Sequence, residues 1–304
     1  MLQTMNLINF LIKFPDEQSC IDNFRSIKED HGIICSYCGG TSHYWLRNKL
    51  VHQCRKCRKR ISIRSGTCLM ATKLSFQYWY LALHLMTATK KGFSALEVQR
   101  QIGHKRYEPI FRMMHKIRIG MGVRDSKYLL KDMIEIDDAY IETCTNALEK
   151  RKLKRGKGSQ RQTKTTVMAE SIVLEDSNGT TQRQCRYFKM KVNLSEKAEP
   201  MTDLVKAHVC ENAVVFSDNS KAYVNLHQVV QAHQKENSQK SFRTKNLKWV
   251  HVAISNLKRN LLGLYHSVSQ HHLQRYLDEF CYKINRRYFG DKLFDRAVLA
   301  IMAI

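Results

Sequence analysis

In 304 residues, 51 lysines and arginines stand against 27 aspartates and glutamates, a net charge of +24 at pH 7. The length allows two or three domains, each with its own core, and 43% hydrophobic residues with only three prolines exclude a low-complexity or disordered chain. The cationic excess favours a polyanionic partner, because neutralising phosphates releases condensed counterions, and no apolar run is long enough to make a membrane the expected partner.

The chain opens on an apolar stretch, Leu7 to Phe14. It is too short to span a bilayer and lacks a basic n-region or a small-residue cleavage site, so residues 1–32 read as an N-terminal segment built on a core helix. Ten cysteines without a secretion signal point to a reducing, cytoplasmic compartment. Cys20, Cys68, Cys144, Cys185, Cys210 and Cys281 stand singly and read as packing residues.

The other four differ. Cys35, Cys38, Cys54 and Cys57 form C-x2-C-x15-C-x2-C, two thiolate pairs on tight turns separated by enough chain to fold back, which suits tetrahedral, structural Zn²⁺. The second turn is densely cationic, with Arg55, Lys56, Arg58, Lys59 and Arg60 around its cysteines. Short strands at Tyr44–Leu46 and Ile61–Ile63 complete a zinc ribbon over residues 33–67.

Residues 68–125 turn helical. Leu74, Tyr78, Leu81 and Leu85 recur at three or four, as do Leu96, Val98 and Ile102 in a shorter segment. Ser94 followed by Glu97 is a capping-box pattern, and Gly103 supplies a turn before a second helix, about Tyr107 to Arg118. As a helix-turn-helix, that second helix would carry Arg112, His115, Lys116 and Arg118 towards DNA. An ordinary basic helical hairpin has the same pattern.

From residue 130 the pattern changes again. Met133–Asp137 alternates with period two and reads as a strand. A basic loop, Lys150 to Lys164, leads to strands at Thr165–Leu174 and Arg186–Val192. A helix over Glu199–Cys210, an apolar strand Ala213–Phe216, helices around Ser220–Gln231 and from Leu247, and a last helix Gln270–Arg287 follow. The order predicts an α/β domain with a mixed sheet over 130–290 and a C-terminal tail over 291–304.

Glu135 and Asp137 share one strand face, opposite Ile134 and Ile136. Asp218 stands at the carboxyl end of an apolar strand, where open α/β sheets place their sites. His251 and Lys258, seven apart, share a helical face. Each has a plain alternative: an Asx turn or N-cap for Asp218, a solvated strand end for Asp137 and Asp138, a packed or surface histidine for His251. Charge economy favours the site, since acids held on a strand among apolar residues are costly unless they bind cations.

Further segments carry a resemblance: Thr67–Trp79, Glu135–Ile141, Ser217–Tyr223, Lys258–Arg259 through Gly263–His266, and His272–Phe280 with Asn285-Arg286-Arg287. Together with the ribbon, from about Cys35 to Phe289, the chain resembles bacterial insertion-sequence transposases of the aspartate–aspartate–glutamate (DDE) type with an N-terminal zinc ribbon. The resemblance implies a ribonuclease H-like catalytic domain holding two Mg²⁺ or Mn²⁺ ions, with Asp137 and Asp218 matching the first two catalytic carboxylates. At the third position the family often has Glu seven residues before a Lys; here the count from Lys258 reaches His251. Asn256 competes for the role, but two residues from Lys258 it points away, so His251 is preferred. Imidazole suits softer metals than Mg²⁺.

The resemblance further implies cleavage at element ends, strand transfer into target DNA, and Lys258 holding a phosphate near the scissile bond. The ribbon (Arg55, Lys56, Arg58, Lys59, Arg60) and the helical region (Arg112, Lys116, Arg118) would grip terminal inverted repeats, with Lys150–Lys164 tracking backbone phosphate. Double-stranded DNA in the bacterial nucleoid and a homodimer or higher assembly are the expected partners. The alternatives are a catalytically inactive zinc-ribbon DNA-binding protein, another ribonuclease H-like nuclease, or a ribbon that docks protein.

Overall fold

The structure, a computed structural model, describes residues 5–144, 159–175, 181–236, 247–265, 267–290 and 292–302. The chain forms two compact units, Met1–Arg124 with Arg287–Ile304, and Asp125–Arg286.

The first unit begins with two helices, α1 (Leu7–Lys13) and α2 (Glu17–Asp30). Asn6 caps α1, and Asp16 with Ser19 forms a reciprocal capping box at α2. The expected core helix holds on one face only: Phe10 is buried, while Leu7, Ile8, Leu11 and Ile12 are exposed. The ribbon follows as an antiparallel sheet of β1 (His43–Leu46), β2 (Val51–Cys54) and β3 (Arg60–Ser62).

Next comes α3 (Phe76–Ala88), whose first free N–H groups, at Phe76 and Gln77, are taken by the Glu17 carboxylate at 2.8 and 2.7 Å. Its buried face is Phe76, Trp79, Tyr80, Leu83 and Met86. The stripe Tyr78–Leu81–Leu85 marks the neighbouring, half-buried flank. Ser94 caps α4 (Ala95–Ile102) through the Glu97 N–H, and Gly103 ends it at φ +73°, a left-handed conformation glycine adopts without strain. After it, α5 (Tyr107–Ser126) runs two turns beyond the expected Arg118.

The second unit is a five-stranded sheet of β4 (Met133–Glu142), β5 (Gln162–Glu175), β6 (Thr181–Val192), β7 (Val214–Asp218) and β8 (Ala232–Glu236), in the order β6-β5-β4-β7-β8. The first three strands are antiparallel neighbours, and β7 and β8 join in parallel. A mixed sheet in the order 3-2-1-4-5 is the ribonuclease H-like arrangement that the resemblance implies. Among the described residues three helices serve it: α6 (Ala198–His208), α7 (Lys248–Tyr265) and α8 (Gln270–Asn285). Ile134 and Ile136 of β4 pack with Met201 and Val205 of α6. Ala139 and Ile141, on the other face, pack with Val250, Ala253 and Leu257 of α7 and Leu273 and Leu277 of α8. The central strand is thus covered on both sides.

Three expectations change. Of the basic loop Lys150–Lys164, residues 150–158 lie outside the described residues, while Gln162–Lys164 belong to β5 and Lys164 is buried, ion-paired to Asp138 at 3.0 Å. Ser220–Gln231 is not one helix but two short 3-10 turns, Lys221–Tyr223 and Leu226–Gln228, leading into β8. The supposed tail contains a helix, α9 (Lys292–Met302), that belongs to the first unit: Phe294 packs against Phe10, Phe14 and Tyr80, and the Cys68 N–H donates to the Ile301 carbonyl. Among the described residues no helix is long and apolar enough to cross a membrane.

Candidate active site and metal centre

The four ribbon cysteines converge, with Sγ atoms all within 4.8 Å of one another. Their two turns match bond for bond. The N–H of Gly39 donates to the Cys35 carbonyl at 2.9 Å and that of Arg58 to the Cys54 carbonyl at 3.0 Å; Cys35 and Cys54 donate in turn to Gly40 and Lys59, both at 2.9 Å. This turn needs a left-handed residue after its second cysteine, and finds Gly39 at φ +68° and Arg58 at φ +60°. A side chain at Gly40 would press on Cys54 Sγ at 3.2 Å. Backbone N–H groups of Tyr37 and Cys38 draw the Cys35 thiol down to about 6, and those of Cys57 and Lys56 lower Cys54. Cys57 moves the other way, up to about 12: the Lys59 N–H lowers it, but burial and the three neighbouring thiols outweigh that. Four thiols sharing one site titrate as a group. A soft tetrad with N–H groups aimed at its sulfurs fits Zn²⁺.

All five cations of the second turn (Arg55, Lys56, Arg58, Lys59 and Arg60) are exposed, with the Arg55 guanidinium 4.4 Å over the Tyr44 ring. On α5 the picture is less favourable to DNA contact. Arg112 is exposed and paired with Glu108 at 2.7 Å. Lys116 donates to the Met70 carbonyl, and His115 and Arg118 are buried, Arg118 to 1% exposure. Buried, those two side chains are not placed to meet phosphate.

The acidic site follows from one register. Parallel pairing sets Ile136 of β4 against Ser217 of β7. One step further on each strand come Asp137 and Asp218, neighbours on the same sheet face with backbones about 4.8 Å apart. Asp137 is 8% exposed. Burial raises its pKa; the Asp138 N–H, donating at 2.8 Å, and His251 pull it down, and the Asp218 and Asp138 charges push it up. The Oδ1 of Asp218 accepts the Ser220 N–H at 3.1 Å, so the Asx turn weighed from sequence forms at the same residue as the site.

His251, one position past the first three residues of α7, holds Nδ1 3.7 Å from Asp137 Oδ2. Lys258 is exposed two turns along the same helical face. Asn256 sits about 140° around the helix from His251 and accepts from Arg259 at 3.3 Å.

The charges are unevenly balanced. Asp138 has a protein cation, Lys164, and the Thr166 hydroxyl at 2.8 Å. Asp137 has only a half-exposed imidazole, and among the described residues no ion pair reaches Asp218. Two adjacent hard oxygen donors short of positive charge are the donor set a divalent cation fits. Behind them lies Tyr223, overlooked in the sequence although it closes the Ser217–Tyr223 segment. It is buried, and burial together with Asp138, Asp137 and Asp218 keeps its hydroxyl protonated, well above the usual range.

No curated protein matches the chain. The model of the ISXO2-like transposase domain matches residues 129–285, just over half of the chain, from the lead-in of β4 to the last residue of α8, and the chain belongs to that transposase family.

Proposed function

We propose that the chain is the transposase of an insertion sequence, cutting DNA at the element's ends and joining those ends to target DNA. The observation that carries this reading is the side-by-side placement of Asp137 and Asp218 with His251 Nδ1 3.7 Å from Asp137, on the sheet of a transposase-family domain. Bound among these side chains, a pair of Mg²⁺ or Mn²⁺ ions would supply the Lewis acidity for in-line displacement at a phosphate.

The chain's own residues divide the remaining work. Asp137, Asp218 and His251 would hold the ions between them. Asp137 must ionise to serve, and a cation offsets the burial that opposes this. Lys258, on the same helical face as His251, neutralises a phosphate oxygen beside the scissile bond. In the first step water attacks the phosphorus at the element end, the bond to the bridging 3′ oxygen breaks, and the element keeps a free 3′-hydroxyl. That hydroxyl then attacks a target phosphodiester and displaces a target 3′ oxygen.

The exposed cations at residues 55–60, with Arg112, grip duplex backbone at the inverted repeats, the ribbon being held by Zn²⁺. Holding two ends together requires at least a dimer, working on nucleoid DNA in the bacterial cytoplasm. The test is strand cleavage of a duplex carrying an element end. Asp218→Ala is expected to lower the rate at least 10³-fold while end binding persists. Undiminished cleavage would remove Asp218 from the active site.

A further inference from the structure

Two residues before Asp137, on the same face of β4, lies a carboxylate with 0% exposure, Glu135. Its neighbours come from distant parts of the chain. Oε2 accepts the N–H groups of Trp249 at 2.7 Å and Val250 at 3.1 Å, the second and third residues of α7. Oε1 meets Arg183 of β6 at 3.1 Å, and that guanidinium also donates to the Ser171 hydroxyl at 2.9 Å. The first N–H groups of a helix have no partner within it, and that end of the helix carries partial positive charge. In α7 these groups are satisfied by the strand the helix packs on.

We propose that Glu135 is a positioning residue: it docks the first turn of α7 on β4 and so sets the distance between His251 and Asp137. Val250 immediately precedes His251, so a carboxylate oxygen shared by two successive N–H groups fixes both the height and the rotation of the turn that presents the imidazole. Asp137, two residues along the strand that bears Glu135, is the other end of the same short link. Both carboxylate oxygens are committed to the helix start and the guanidinium, so Glu135 is not itself a cation ligand, although its place beside Asp137 invites that assignment. The catalytic half of the proposal rests on the strand-cleavage reading above; the docking half does not.

Glu135→Gln keeps the size and one acceptor but turns an NH2 group towards either Arg183 or the helix amides. In the full-length, zinc-loaded protein, hydrogen exchange of the Trp249 and Val250 amides is expected to quicken at least tenfold, with those of Leu257 and Leu261 unchanged. With Mn²⁺ and an element-end duplex, kcat for cleavage is expected to fall at least tenfold and KM to stay within twofold. Glu135→Asp, which preserves the buried charge and therefore the fold, shortens the link by one methylene and is expected to lower kcat with KM again unmoved. A folded variant with unchanged exchange or unchanged kcat would overturn the positioning role. Wild-type protein that cuts no DNA, with the two amides nonetheless freed by Glu135→Gln, would remove strand cleavage and uphold the docking.

Discussion

Asp125 and Arg286, the first and last residues of the second unit, meet as an ion pair at 2.6 Å. The Tyr187 hydroxyl donates to the same Asp125 oxygen at 3.0 Å. Asn285 clips α8 to β6 by accepting the Phe188 N–H at 2.7 Å and donating to the Phe188 carbonyl at 2.9 Å. The segment Asn285-Arg286 therefore closes the unit where the chain enters and leaves it.

Both partners of that ion pair are largely buried, so removing one strands a charge in low dielectric. Arg286→Met is expected to lower the unfolding free energy by about 3–5 kcal/mol. Asp125→Asn with Arg286→Met should cost less than the single change, because no bare carboxylate remains. Urea unfolding of the four proteins in the cycle measures this, and an additive double variant would show that the pair is not coupled.

Arg58 stands where the first ribbon turn has Gly39, and both are left-handed. A non-glycine residue there costs about 1–2 kcal/mol. Arg58→Gly is expected to stabilise the zinc-bound ribbon by about 1 kcal/mol while removing one exposed cation. If Arg58 contacts phosphate, the slope of log K against log salt for duplex binding becomes shallower by about 0.9. A stabilised ribbon with an unchanged slope would separate Arg58 from the DNA contact.

Asp137 yields a pH prediction of definite sign. Burial and the Asp218 charge raise its folded pKa above the ordinary carboxylate value of 3.8. Its contribution to stability is fully present below that value and is lost as pH rises through the raised one. At neutral pH, without Mg²⁺ or Mn²⁺ but with zinc retained, Asp137→Asn is therefore expected to melt higher than wild type. Adding Mn²⁺ should reverse the order, because only the carboxylate gains from the ion. Thermal melts of both proteins with and without Mn²⁺ test it, and a wild type that melts higher in both buffers would contradict the sign.

What the sequence conveyed follows the physics of each signal. The strands of the sheet centre were legible because Ile134 and Ile136 alternate with Glu135 and Asp137, and Ala213–Phe216 is an apolar run. β8 (Ala-His-Gln-Lys-Glu) was not legible: among the described residues it is a polar edge strand paired with β7 alone, so no buried face writes a pattern into it. Arg118 read as a surface cation, yet Ile110, Met113, Met114, Ile117 and Met121 are buried with it, and a helix covered on several sides erases the polar stripe that periodicity relies on. Asp137 was singled out as an acid on a strand face among apolar residues and Asp218 by its place at a strand's carboxyl end, but their adjacency depends on the β4–β7 register, which no local motif encodes. The helix partners of Glu135, Trp249 and Val250, are more remote still, 114 and 115 residues along the chain.

If His251 fills the third position proposed for it, its imidazole sets the metal preference. The imidazole is the softest donor beside two carboxylates, and it favours ions such as Mn²⁺ over Mg²⁺, which binds hard oxygen ligands in near-ideal octahedral geometry. Wild-type cleavage is therefore expected to run at least tenfold faster with Mn²⁺ than with Mg²⁺ at equal concentration. His251→Glu restores an all-oxygen set at the position that faces Asp137 at 3.7 Å, and should raise Mg²⁺-supported cleavage while narrowing the difference between the two ions. Asn256→Asp, on a different side of the helix, should leave the metal preference where it was. A preference that moves with residue 256 and not with residue 251 would reassign the third position.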